Sequence, residues 1–349
     1  MNPPEATSPA PLVSVVVVNY NCKKWLDRFF SSLRAQTIFD QLEIIIVDNT
    51  STDGSDELCR KEMVLWPNGV FVATGGNYGF GGGSNRGAAV ARGKFLFFIN
   101  PDVWLEPNCI EELLKRTEAV GGSIASPRVL DYDSDNLQGQ GAAGFDIFGC
   151  MTRPREGELL AQPFCVAAFY FITKELLVKA GGFDDEFFLY NEEMDLSWRV
   201  WLAGETIRQV PSARIHHQGA SSGDRKVENR TNETKRFYAN RNQILTLLKN
   251  SRGLLWILVV NQVALITVEA IAGSMMARRL SFMRWSLMKP LGDCWRLRKH
   301  ISAERKRIRS FRRRGDLWIL RRFFTFRFGR WMDVKRLLAA KGVKIDKAR

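Results

Sequence analysis

Apolar residues fall in short unbroken runs through the first third of the chain. "LVSVVVVNYN" (12–21) follows Pro11, and "LEIIIVDNTSTDGS" (42–55), "GVFVATGGN" (69–77) and "KFLFFINPD" (94–102) repeat its form, apolar first and polar at the end. Runs of this length without alternation predict strands buried on both faces, as in parallel sheets. Between the runs, residues 23–36 place Trp25, Leu26, Phe29, Phe30 and Leu33 at helical spacing, and a helical stretch follows from Asp56. "GFGGGSNRGAAVARG" (79–93) reads as a glycine-rich loop running into a short helix, and "PNCIEELLKRTEA" as a helix. Strand and helix alternating in this way predict a doubly wound α/β sheet, whose ligands bind beyond the C-terminal ends of the strands. The clusters NYN, DNTSTDGS, GGNYGFGGGSN and NPD all fall at such ends.

The pattern then changes. Residues 125–223 are less regular, and "RFYANRNQILTLLKN" (236–250) returns to helical spacing. "GLLWILVVNQVALITVEAIAGSMM" (253–276) is apolar but interrupted by Asn261, Gln262 and Glu269, with Gln262, Ile266 and Glu269 on one side of a helix. That interruption favours a helix lying in a membrane plane or buried against protein over a full span. Charge sharpens this picture. Residues 278–349 hold 24 Lys/Arg against 5 Asp/Glu, while residues 1–277 hold 27 against 32. The net charge of +14 therefore resides in the C-terminal region, interleaved with Trp, Phe and Leu. A polyanionic partner is implied, lipid headgroups or nucleic acid. The six cysteines form no CxxC pair, which fits reduced thiols in a cytosolic setting. "MNPPEATSPAPL" lacks the charged and apolar regions of a secretory signal.

Each polar cluster has two readings. Asp48 is placed to accept hydrogen bonds from a nucleobase or ribose, or to close an Asx turn before a helix cap. The glycines of 79–85 let backbone approach a nucleotide closely, or simply form a surface loop. Asp102 suits a divalent cation on a diphosphate, which needs only one or two protein carboxylates, or it ends a strand as a turn residue. Glu192, Glu193 and Asp195 offer a general base, or an acidic first helical turn with Arg199 pairing to Asp195. His216 and His217 offer a metal ligand or a structural imidazole.

Taken in order, "VSVVVVNYN", "IIIVDNTSTDGS", "GGNYGFGGGSNRGA", "FFINPDV", "GGFDDEFFLYNEEMDLSWR" and "IHHQGASS" resemble the family 2 glycosyltransferases, and the segment "FYANRNQILTLLKN" resembles bacterial cell-envelope members, the rhamnosyltransferase-like ones among them. The resemblance implies a GT-A fold, a Rossmann-like mixed sheet flanked by helices, and an inverting reaction that needs Mg2+ or Mn2+. It implies that Asn19 and Asp48 hold the base and ribose of a dTDP- or UDP-sugar, with Tyr20, Asn21 and Asn49 beside them. Asn77, Gly79, Phe80, Gly81, Asn85 and Asn100 would complete the donor side. Asp102 would take the metal position, with His216 as the metal-associated histidine and His217 its alternate. Asp184 and Asp185 would face the acceptor, and Glu193 would be the base, with Glu192 and Asp195 as alternatives.

The expected organisation is a disordered N-terminus (1–11), a glycosyltransferase domain (12–250) and a basic, aromatic helical region (251–349) that meets an anionic membrane surface. The expected acceptor is a lipid-linked or other envelope glycan at the cytoplasmic face of the inner membrane. A nucleotidyltransferase is the rival enzyme, although residues 12–21 lack its usual basic glycine loop. A nucleic-acid-binding protein is the rival without chemistry, although the tail carries no zinc spacing and the remainder is net acidic.

Overall fold

The computed structural model describes residues 10–121, 123–139, 141–155, 161–166, 169–219, 230–327 and 344–346. The first nine positions of the expected disordered N-terminus, and residues 328–343 of the basic tail, lie outside the described residues. The chain forms two compact units. The first comprises Met1–Gly139, Ala167–Asp185 and Arg208–Gly219, and the second comprises Gln140–Val166, Glu186–Ile207 and Ala220–Arg349.

The first unit is a mixed sheet with flanking helices. Its strands open with β1 (Val13–Asn19), β2 (Leu42–Asp48), β3 (Gly69–Ala73), β4 (Phe95–Ile99), β5 (Val103–Leu105), β6 (Ser123–Asp131) and β7 (Leu137–Gly139). The two-residue strands β8 (Gly144–Phe145) and β9 (Met151–Thr152) belong to the second unit. The chain returns to the first unit for β10 (Tyr170–Thr173) and for β11 (Thr206–His217) from Arg208 onward. The strand order is β3-β2-β1-β4-β10-β6-β11-β5, with β7 beside β6. β1 to β4 are parallel, and β10 then runs antiparallel to β4. Every residue of β1, β2 and β4 is buried, as continuous apolar runs require of strands covered on both faces. Helices α1 (Leu26–Arg34) and α4 (Cys109–Val120) contribute Leu26, Phe29, Phe30, Leu33, Ile110 and Leu113 to that core.

Register places the site. Asn19 lies opposite Asp48, and Asp48 opposite Ala73, so three strands end level. Ile99 lies opposite Val17, so Asn100–Asp102 leave β4 where β1 ends. Strand order reverses between β1 and β4, which is where open α/β sheets bind ligands.

One element departs from the sequence reading. Residues 79–93 are not a loop with a short helix after it: helix α3 (Gly79–Val90) begins at the first glycine. It follows α2 (Ser55–Leu65) and lies directly on the sheet. A Cβ on Gly83 would sit 2.8 Å from Val18 Cγ1, and one on Gly87 would sit 2.3 Å from Val16 Cγ1. These glycines are contact points between helix and strands, not hinges. Alanine would add about 1 kcal/mol of helix propensity at Gly87. Overpacking against two valines outweighs it, at about 1–3 kcal/mol. Gly87→Ala should therefore lower the urea midpoint, and an unchanged or raised midpoint would contradict this contact.

The second unit is mostly helical. It contains α6 (Glu192–Leu202), which follows α5 (Lys174–Ala180) of the first unit, then α7 (Glu233–Asn250), α8 (Trp256–Ala277), α9 (Leu280–Met283), α10 (Lys289–Arg296), α11 (Arg298–Phe311) and α12 (Asp316–Phe323). Its aromatic core joins Phe145, Phe164, Trp198, Trp201 and Phe323, with Phe145 and Trp198 stacked at 5.1 Å. Helix α8, with the short turn before it, spans Gly253–Met276 and is long and apolar enough to cross a membrane, with 44% of its apolar window buried in protein.

Candidate active site

Five described residues other than glycine have positive φ, and four lie in the segments singled out from sequence: Asn21, Thr50, Tyr190 and Asn191. Left-handed backbone is costly for such residues, and it concentrates at functional turns.

At the strand ends of the first unit, the buried Asn19 donates to Asp48 Oδ1 (2.8 Å) and to the hydroxyls of Ser51 (3.1 Å) and Ser55 (3.0 Å). Asp48 Oδ1 also accepts from Ser51 Oγ (2.6 Å), and Oδ2 from the Ser51 amide (3.1 Å). The carboxylate braces this turn through the amide and hydroxyl three residues on. Tyr20 and Asn21 are exposed beside it, and Asn21 Oδ1 accepts from the Thr52 amide at 2.7 Å. Asn49 is buried and ties this turn to α3 through the Gly79 carbonyl (2.9 Å). Asn77 is exposed and caps the same end of α3, accepting from the Gly79 amide (2.9 Å). The two glycine-rich motifs also meet. Asn85 donates to the Phe183 carbonyl and to Asp185 Oδ1, both at 2.7 Å, and accepts from the Phe183 amide at 3.0 Å. Asp184 is buried, whereas Asp185 is exposed. Phe80 packs edge-on against Phe183 (5.7 Å), and Gly81 is buried in the first turn of α3.

Asp102 meets His217. Asp102 Oδ2 lies 3.4 Å from His217 Nε2, and Asp102 Oδ1 is buried without a hydrogen-bond partner. Gln138 sets the ring. Its Nε2 donates to the His217 carbonyl (2.8 Å), so its Oε1, 2.7 Å from His217 Nδ1, accepts the Nδ1 proton. A neutral His217 then turns the Nε2 lone pair toward a carboxylate. Two acceptors that close repel unless a proton or a cation lies between them. A carboxylate and an imidazole oriented by an outer amide are the donor set a divalent cation takes. Asn100 lies half-buried at the start of the same turn.

The expected metal-associated histidine, His216, faces elsewhere. It stacks on Trp104 at 3.7 Å, with Nδ1 3.1 Å from the Asp131 carbonyl and Nε2 3.3 Å from Glu106 Oε1. Among the described residues Glu106, Asp135 and His216 are grouped closely enough to share a cation. Arg214, however, already lies 3.2 Å from Glu106 and 3.0 Å from Asp135, supplying their counter-charge. Of the two histidines, the geometry pairs His217 with Asp102.

The second unit carries the acidic cluster. The turn before α6 is held by α7. Asn242 donates to the carbonyls of Leu189 (2.7 Å) and Tyr190 (2.8 Å), and Arg241 donates twice to that of Glu186 (2.6 and 2.7 Å). The left-handed Tyr190 and Asn191 are thereby fixed, and Glu192 and Glu193 follow at the start of α6. Burial pushes Glu192 well above the ordinary glutamate range, and the neighbouring Glu193 charge raises it further. Burial also raises Glu193, but the hydrogen bond from Glu192 offsets part of the effect. The two adjacent carboxyls therefore titrate as a pair, both raised chiefly by burial. Buried, interacting carboxyls of this kind are candidates for proton transfer.

Asp195 drops out of the base candidates. It is fully buried and accepts from Arg199 Nε (2.9 Å), Lys249 Nζ (2.9 Å) and Asn250 Nδ2 (2.8 Å). A fully buried carboxylate held by two cations and an amide is a structural ion pair rather than a base open to an acceptor hydroxyl. Sequence reasoning missed Gln138, Arg241 and Asn242. Gln138 sits in no motif, but the run "NRNQ" directly before the apolar stretch of α7 was a signal, because buried polar residues need partners.

Residues 14–178 match the model of glycosyl transferase family 2. The chain is 38% identical over 105 residues to the putative glycosyltransferase EpsH of Bacillus subtilis, a match covering 30% of each chain. It is 28% identical over 243 residues to the N-acetylglucosaminyl-diphospho-decaprenol L-rhamnosyltransferase of Mycobacterium tuberculosis, covering 61% of this chain and 78% of the relative. The crystal structure of GalNAc-T7 with UDP, GalNAc and Mn2+ shares the fold, with a TM-score of 0.57 and 18% identity, over 69% of this chain and 48% of that one. The chain thus spans about a third of EpsH, half of GalNAc-T7 and three quarters of the rhamnosyltransferase.

Proposed function

We propose that this chain, whose residues 14–178 match glycosyl transferase family 2, is a glycosyltransferase that moves a sugar, with inversion and with Mg2+ or Mn2+, from a dTDP- or UDP-sugar to a hydroxyl of a lipid-linked or other envelope glycan. The observation that supports this reading most is the Asp102–His217 pair at the end of β4. Rhamnose is the proposed sugar, by likeness to the mycobacterial relative. A lipid-linked acceptor places the reaction at the cytoplasmic face of the inner membrane, with residues 253–349 holding the chain to an anionic surface peripherally. Nucleic acid is not the proposed partner.

Asp102 and His217 would hold the cation, which would offset the charge developing on the departing nucleoside diphosphate. Asn19, Asp48 and Asn49 shape the nucleoside end by bracing the turn at 48–55, and the exposed Tyr20 and Asn21 contact it. Asn77, Gly79, Phe80, Gly81 and Asn100 line the donor, and Asn85 holds the acceptor-side Asp184–Asp185 segment. Glu193 removes the proton of the attacking hydroxyl. One displacement from the face opposite the diphosphate inverts the anomeric centre and leaves no covalent intermediate.

A thermal-shift panel of UDP-, dTDP- and GDP-sugars with and without Mn2+ tests the donor side, because a ligand specific to the folded state raises the melting temperature. Stabilisation by dTDP- or UDP-sugars that needs Mn2+ is expected. Gln138→Leu, which frees the His217 ring, should weaken the metal requirement's midpoint about 10- to 100-fold. Equal shifts for all donors with metal absent would contradict the reading.

A further inference from the structure

Helix α8 is apolar on the face it turns to solvent. Its inward side buries Leu258, Leu265, Ile266 and Ala270 together with the polar Gln262 and Glu269. Its outward face carries Ile257, Val260, Ala264, Val268, Ile271 and Met275, all exposed and spaced three or four residues apart. Val260 and Met275 are 61% and 68% exposed. At about 1.5 Å per residue the stripe runs for roughly 27 Å. A water-facing helix carries charged and polar residues on its outward face instead.

The inward face is covered along its length by the same unit. Asn261 donates to the Ile147 carbonyl (3.0 Å), and Cys150 Sγ lies 3.4 Å from Gln262 Oε1. Arg236 pairs with Glu269 at 3.1 Å, and Gly273 receives the Phe282 ring. A spanning helix would carry Gln262 and Glu269 into hydrocarbon, so α8 meets a bilayer by one face only. The exposed Arg252 precedes the stripe, and the exposed Arg278 and Arg279 follow it. Residues 278–349 add their excess of cations. Arginine at both ends of an apolar stripe complements anionic headgroups. In a symmetric pairing of two copies across this stripe, the same cations would face each other.

We propose that the outward stripe of α8 is the membrane-contact surface of this chain, lying in the plane of an anionic leaflet with its apolar side chains among the acyl chains. This surface deepens the peripheral placement proposed above and is independent of the transfer chemistry.

The test is flotation of the full chain with vesicles of phosphatidylethanolamine and phosphatidylglycerol, against vesicles of phosphatidylcholine alone. The wild type should float with the anionic vesicles and leave them in alkaline carbonate. Val260→Asp/Val268→Asp should bind on the order of tenfold or more weakly, because two buried apolar contacts are lost. Both positions are exposed, and an unchanged melting temperature confirms folding. Val260→Asn/Val268→Asn serves as the milder pair if it does not. The proposal is overturned if the wild type does not float, if the folded variants float equally, or if only detergent extracts the chain. It is equally overturned if the wild type is a dimer that the substitutions dissociate. Loss of sugar transfer with intact flotation would count against the catalytic reading alone.

Discussion

Glu193→Gln should lower kcat for sugar transfer about 10²- to 10⁴-fold while leaving the fold intact, the range over which a positioned base contributes. The amide keeps the shape and loses the ability to take a proton. Glu192→Gln separates the roles. Both carboxyls are held above the ordinary glutamate value, most of all by burial. The native state therefore binds protons more tightly than the unfolded chain. The pair's contribution to stability is favourable relative to neutral pH only in acid, and it falls as pH rises from the ordinary range through the raised values. Glu192→Gln removes that loss. Its melting temperature should exceed the wild type's at neutral pH and match it near pH 4. In the wild type, the acid limb of kcat against pH should lie above the ordinary glutamate value of 4.5. A Glu193→Gln variant with wild-type kcat would remove the base assignment.

Asp102→Asn should be the second severe loss. The substitution keeps the size of the side chain and removes the negative charge that a divalent cation needs beside a diphosphate. The cation's offset of developing charge is worth several kcal/mol, so transfer should fall about 10³-fold or more. Mn2+ binding in the presence of a nucleoside diphosphate should fall with it, in a calorimetric titration that does not depend on turnover. His217→Ala should weaken the same titration, whereas His216→Ala should leave it near wild type. The reverse order of the two histidines would return the metal role to His216.

That choice shows why part of the site was readable in the sequence and part was not. Buried parallel strands leave continuous apolar runs, so β1, β2 and β4 and their polar ends could be located from pattern alone. Two adjacent histidines on a strand point to opposite faces. Nothing in "IHH" says which face meets Asp102 and Gln138 and which meets Trp104 and Glu106. The glycines of α3 carried the same ambiguity, because the local signal for a loop is also the signal for a helix pressed against a sheet. Only the contacts with Val16 and Val18 decide it. The Asp195–Arg199 pair was visible at helical spacing, but Lys249 and Asn250, which complete its burial, come from 54 and 55 positions further on. The turn at 186–191 likewise depends on α7, which sequence order separates from it by about 50 residues.

The most direct measurement is the identity of the nucleotide released. The full chain is incubated with dTDP-rhamnose or UDP-sugars, an extract of envelope lipids as acceptor, and Mn2+ or EDTA. Release of nucleoside diphosphate that needs both the acceptor extract and the cation, and that Asp102→Asn abolishes, is the result predicted here. Release of pyrophosphate, or nucleoside diphosphate formed equally well in EDTA, would contradict it.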